Sequence, residues 1–65
     1  MREQTRMKKL KEARKRKGYT QEELAYCLNV TPMTIYRYES GRRIPNARVL
    51  KQIAQALDCN VGDIL

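Results

Sequence analysis

The chain contains no histidine, tryptophan or phenylalanine. Without imidazole there is no histidine general base, and zinc loses its usual nitrogen ligand. Only two cysteines are present, Cys27 and Cys59, 32 positions apart and without CxxC spacing. Small secreted domains that depend on disulfides usually carry four or more, so the expected state is two reduced thiols acting as small hydrophobes. A disulfide, redox or metal role is the alternative reading of the pair. No run of 18 apolar residues occurs, so no membrane-spanning helix is expected. The first 17 residues are basic but lack the apolar stretch and small-residue cleavage site of a secretory leader. The expected location is therefore cytoplasmic.

What is present is enough for one small fold. With 65 residues, 42% hydrophobic and 32% charged, residues 1–65 are expected to form a single soluble domain rather than a disordered chain. A domain of this size buries only about 60% of its unfolded surface, so a catalytic cleft is hard to enclose. No enzyme activity, catalytic residue, cofactor or metal site is expected, and no small-molecule ligand is evident.

Charge is unevenly placed. The net +7 comes from 14 Lys and Arg against 7 Asp and Glu, and residues 1–17 hold nine of those cations against only Glu3 and Glu12. Residues 18–65 carry five of each sign. Such a block attracts polyanions in general, whether DNA, RNA or an anionic membrane surface. Its plain alternative is a solvated helix face, with residues 1–4 as a flexible basic arm.

Punctuation divides the chain into five helical segments. The first is expected from about Thr5 to Lys17, with Met7, Leu10, Ala13 and Arg14 at helical spacing and Gly18 as its stop. Thr20-Gln21-Glu22-Glu23 reads as a capping box for a second helix, with Tyr19 and Leu24 at staple spacing. Leu24, Ala25 and Leu28 form its buried face, and Asn29 tolerates the left-handed conformation that ends it. Thr31 caps and Pro32 opens a third helix, which runs to Glu39 or Ser40 before Gly41. Pro45 bars helix through the loop Arg42-Arg43-Ile44-Pro45. Asn46 caps a fourth, whose Val49, Leu50, Ile53, Ala54 and Leu57 make a core stripe. After Asp58-Cys59-Asn60, a short fifth segment is expected to close the core with Val61, Ile64 and Leu65.

Only Asn29, Val30 and Thr31 separate the second and third helices. Short helices joined so tightly must cross steeply, which is helix-turn-helix geometry. Leu24, Ala25, Leu28, Val30, Ile35 and Tyr38 fall where two such helices touch: Ala25 allows close approach, Val30 fills the turn, and Ile35 and Tyr38 anchor the following helix. With these residues the chain resembles the phage repressor and Cro-type helix-turn-helix family of DNA-binding proteins, over roughly residues 9–65. Further markers are Leu10 with Arg14, Gly18-Tyr19-Thr20-Gln21, Glu39 with Gly41, Pro45, and the closing Leu50, Ile53-Ala54, Leu57 and Ile64-Leu65. Asn29, where the family often has glycine, Tyr38, where an aliphatic residue is commoner, and the dense basic first helix depart from the pattern. The resemblance implies a compact all-α, lambda-repressor-like domain of five helices.

If the third helix enters the major groove, Ile35 and Tyr38 face inward and Pro32, Met33, Tyr36, Arg37 and Ser40 face out. Arg37 offers a fork that matches guanine O6 and N7, and Met33, Pro32 or Tyr36 can touch a thymine methyl. Tyr36 can instead donate to a phosphate. The resemblance places base contact on Pro32, Met33 and Arg37, and phosphate contact on Gln21. Thr31, Ser40, Arg42 and Arg43 complete an expected phosphate clamp. Solvated side chains are the plain alternative for Tyr36, Arg37, Arg42 and Arg43. Glu39 falls near the inward face, and the family pattern pairs it with Arg14 as a structural ion pair.

The leading expectation is a sequence-specific regulator of transcription, acting as a repressor. The resemblance implies a homodimer on near-palindromic double-stranded DNA, with no membrane partner. Two competitors stay open: an antitoxin or adaptor-type protein-interaction module on the same fold, and a nonspecific nucleic-acid binder driven by the basic first helix.

Overall fold

The computed structural model describes residues 7–65. In chain order it consists of α1 (Lys8–Lys17), α2 (Gln21–Leu28), α3 (Pro32–Glu39), α4 (Ala47–Ala56) and a 3₁₀ turn, Val61–Asp63. Four α-helices among the described residues replace the expected five. The last segment makes only i→i+3 bonds, from the Asp63 amide to the Asn60 carbonyl at 2.9 Å and from Ile64 to Val61 at 3.1 Å. Three residues with a central glycine offer too few i→i+4 partners to nucleate an α-helix.

The start of α1 also differs from expectation. Met7 has φ 61° and ψ 20°, so the helix begins at Lys8. Thr5 and the arm assigned to residues 1–4 lie outside the described residues.

Side-chain caps set the other three starts. The Thr20 hydroxyl accepts from the Glu23 amide at 3.0 Å, and the Glu23 carboxylate accepts from the Thr20 amide at 2.8 Å. Thr31 and Asn46 accept from the amides of Thr34 and Val49 at 3.4 and 2.9 Å. Each bond satisfies a donor that the helix itself leaves unpaired.

All four helices stop by one device. Gly18, Asn29, Gly41 and Asp58 have φ of 89°, 60°, 82° and 57°. At each, the left-handed residue's amide bonds back three residues and the next amide bonds back five. The Gly18 amide reaches Lys15 at 3.0 Å and Tyr19 reaches Arg14 at 3.1 Å; Asp58 reaches Gln55 at 3.1 Å and Cys59 reaches Ala54 at 2.9 Å. This is the Schellman arrangement, and it turns the chain sharply while satisfying the last carbonyls.

The core lies where the elements meet: α2 packs on α3 and α4, and α1 packs on α3 and the 3₁₀ turn. Leu10, Leu24, Ile35, Ile53 and Ile64 are wholly buried, with Met7, Ala13, Ala25, Tyr38, Ala54 and Leu57 completing the cluster. Each large aliphatic buried in this way stabilises the fold by about 1.5–3 kcal/mol.

Three sequence expectations fail here. Val30 is 37% exposed rather than filling the turn, because its amide closes α2 onto Ala25 at 3.0 Å and holds that corner at the surface. Leu65 is 58% exposed. In a 3₁₀ turn residues three apart eclipse, so Val61 and Ile64 point one way and Leu65 is carried past them. Cys27 is exposed on α2, not a core hydrophobe, whereas Cys59 is half-buried.

Candidate nucleic-acid interface

The two faces of α3 divide sharply. Ile35, Tyr38 and Glu39 are buried, while Pro32, Met33, Tyr36, Arg37 and Ser40 are exposed. Met33 and Tyr36 show 54% and 46% of their surface to solvent, high values for large apolar side chains on a small domain. The helix repeat of about 100° per residue produces this division once Ile35 is drawn into the core. Thr34, which the sequence reading passed over, is half-buried, and its hydroxyl shares a 3.0 Å hydrogen bond with Thr31. That bond stiffens the first turn of α3.

At the other end of α3, Glu39 collects three donors. Arg14 Nε donates to Oε2 at 2.6 Å, Arg14 Nη2 to Oε1 at 3.2 Å, and Gln21 Nε2 to the same Oε1 at 3.0 Å. Arg14 Nη1 also donates to the Tyr19 carbonyl at 2.7 Å. Both charged side chains are buried, so the forked geometry and the additional bonds are what make their desolvation tolerable. The network ties the last turn of α1, the first turn of α2 and the last turn of α3 to one point. The bond from Gln21 had no sequence signal, because it joins side chains 18 residues apart that meet only after α2 and α3 have packed.

Gln21 is thus half-buried and held at the start of α2, where helix dipole and free amides favour an anion. The loop beyond α3 is equally well determined. The Arg42 and Arg43 amides both donate to the Arg37 carbonyl, at 2.9 and 3.2 Å, and Pro45 is buried beneath the loop. Both guanidinium side chains remain exposed. Ser40 is exposed, with its hydroxyl donating to the Arg37 carbonyl at 3.2 Å. Thr31 stands exposed at the opposite end of α3.

The basic block is only partly free. On α1, Lys9 Nζ donates to the Gly62 carbonyl at 3.1 Å and Lys17 approaches Asp58 at 4.0 Å. Lys8, Lys11, Lys15 and Arg16 are exposed on the same helix. None of these lies on the outer strip of α3.

Burial, then the negative charges of Asp63 and Asp58, raise the Cys59 thiol above its ordinary value, with Arg16 opposing. A thiol shifted in that direction is a poor nucleophile at neutral pH. Among the described residues, no group of three or more Cys, Asp or Glu is placed to hold a metal ion, and no helix is long and apolar enough to cross a membrane.

Two short helices joined by a three-residue turn, the second presenting an outer strip between anchored flanks, define a helix-turn-helix domain. In DNA-binding proteins of this class the second helix enters the major groove. The family model described as helix-turn-helix matches residues 10–64, and the chain belongs to that family. Endothelial differentiation-related factor 1 of Homo sapiens is 46% identical over 50 residues, covering 77% of this chain and 34% of its own length. Multiprotein-bridging factor 1 of Candida albicans is 44% identical over 63 residues, covering 89% and 42% respectively. The chain spans about a third of the first relatives it matches. Among solved structures, the clp gene regulator ClgR from Corynebacterium glutamicum superposes with TM-score 0.82 at 32% identity, over 88% of this chain and 61% of that one.

Proposed function

We propose that the chain is a sequence-specific DNA-binding transcriptional regulator, acting in the cytoplasm as a repressor without enzymatic chemistry. The observation that carries this reading is the outer strip of α3, where Pro32, Met33, Tyr36 and Arg37 are exposed above a fully buried Ile35. In this reading α3 lies in the major groove. Arg37 reads guanine through two parallel hydrogen bonds, and Met33, Pro32 and Tyr36 contact thymine methyl groups. Gln21, Thr31, Ser40, Arg42 and Arg43 hold phosphates. An eight-residue helix is about 12 Å long, comparable with the width of the major groove, so anchors at both its ends can meet the flanking backbones.

The functional unit is a homodimer on a near-palindromic operator, with half-sites about 34–36 Å apart. Exposed apolar surface supports pairing of this kind. Ile44 and Leu65 are 67% and 58% exposed, and a hollow of about 460 Å³ is lined by Ala47, Leu50 and Val61 together with Arg48 and Lys51. Selection from a random duplex pool at physiological salt tests the proposal: an enriched inverted repeat is the expected outcome, and an unenriched pool overturns it.

A second reading, an adaptor-type module whose main ligand is another protein, draws support from the relatives named multiprotein-bridging factor. It predicts a stoichiometric protein complex that survives Arg37→Ala. A nonspecific binder driven by α1 would instead lose affinity evenly when Lys15, Arg16 and Lys17 are neutralised.

A further inference from the structure

Among the described residues, one groove of this strongly basic chain has a lining without cations. Two adjoining hollows of about 450 and 350 Å³ open along the outer side of α2, the larger reaching α4, and they share Tyr19. Neither is lined by a single Lys or Arg. Their half-buried apolar part is Tyr19, Leu28 and Ala56, with the exposed Cys27 shared by both and Asn29, Gln52 and Gln55 completing the larger hollow. Their exposed edge carries Glu22, Glu23 and the ring of Tyr26, which is 86% exposed, the most open large hydrophobic residue among those described. None of these residues belongs to the outer strip of α3 or to its phosphate anchors.

We infer that this groove is a second interaction surface, which takes a cationic amphipathic helix from another protein while α3 remains free for DNA. The occupant follows from the chemistry of the walls. The apolar part of the floor accepts anchors spaced i, i+3 or i+4 along a helix, and its amide side chains can bond polar groups beside them. The Glu22 carboxylate pairs with a flanking Lys or Arg, Glu23 adds negative charge while capping Thr20, and an exposed tyrosine face attracts guanidinium. An eight-residue α2 is about 12 Å long, room for roughly two turns of a partner. A second copy of this chain is a poorer fit, because its proposed pairing surface lies around Ile44 and Leu65 and leaves this groove open.

The test uses a fluorescent 15-residue helical peptide of leucine and arginine, with a control in which every arginine is glutamate. Both are titrated into the full chain while amide NMR shifts are followed, and duplex affinity is measured on separate samples without peptide, since an arginine-rich peptide would itself bind DNA. The expected result is binding of the cationic peptide alone, with shifts at Tyr26, Leu28 and Ala56. Glu22→Gln combined with Tyr26→Ala should weaken it at least tenfold. Both positions are exposed, and duplex affinity of that variant should stay within threefold. No binding, equal binding of the two peptides, shifts centred on α3, or self-association of the chain that Tyr26→Ala abolishes would each overturn the inference. Because duplex binding is read without peptide, loss of the DNA reading and loss of the groove appear separately.

Discussion

Arg14 and Glu39, 25 residues apart in the chain, meet at 2.6 Å with both side chains almost wholly removed from water. Their contact clamps α1 to α3, and through Gln21 it also holds the first turn of α2. The outer strip of α3 is therefore presented at an angle set by one ion pair as much as by the apolar core behind it.

Arg14→Ala or Glu39→Gln should each destabilise the fold by about 3–5 kcal/mol, since each leaves a buried charge without its partner. Urea denaturation measures this. Replacing both residues with methionine should cost less than either single change, because no charge then remains to be desolvated. A double variant as unstable as the sum of the singles would show that the pair is not coupled.

Arg37→Ala should weaken binding to the selected duplex by about 1–3 kcal/mol and relax choice at one base position. Arg42→Ala should weaken binding to every sequence alike and lower the slope of log affinity against log salt by roughly 0.9. Titrations at several salt concentrations distinguish the two. Equal effects of both changes on the target and on random duplex would remove Arg37 from base readout.

Gly18→Ala should cost about 1–2 kcal/mol although its new Cβ would meet no atom within 4 Å, because φ there is 89°. Asn29→Gly should change stability by less than about 1 kcal/mol, since asparagine already occupies the left-handed region at modest cost. Thermal melts of the two variants test the contrast.

Stability should fall as pH rises past the ordinary thiol value of about 8.5, because the raised Cys59 thiol keeps its proton in the folded chain while the unfolded chain loses it. Below that value both states are protonated and this contribution is complete. Cys59→Ala should flatten the alkaline decline in melting temperature. An identical decline in the variant would assign the effect to other groups.

Much of the fold was legible in the residue order because its signals are local. Thr20 with Glu23, Thr31 with Pro32, and Asn46 act within one turn, so short-range chemistry alone marks where α2, α3 and α4 begin. The outward placement of Met33, Tyr36 and Arg37 follows from helix period once Ile35 is assigned inward. What stayed hidden depends on packing between distant segments. The Gln21 bond to Glu39 forms only when α2 and α3 come together, the larger hollow between Leu28 and Ala56 needs α2 against α4, and the exposure of Leu65 depends on a 3₁₀ rather than an α turn. Sequence by itself determined where α2, α3 and α4 start, where the helices stop and which face of each is apolar, since those are matters of hydrogen bonding and periodicity over a few residues. Only the tertiary structure decided which charged groups are buried together and which apolar groups remain outside, because both depend on which surfaces the other helices leave uncovered.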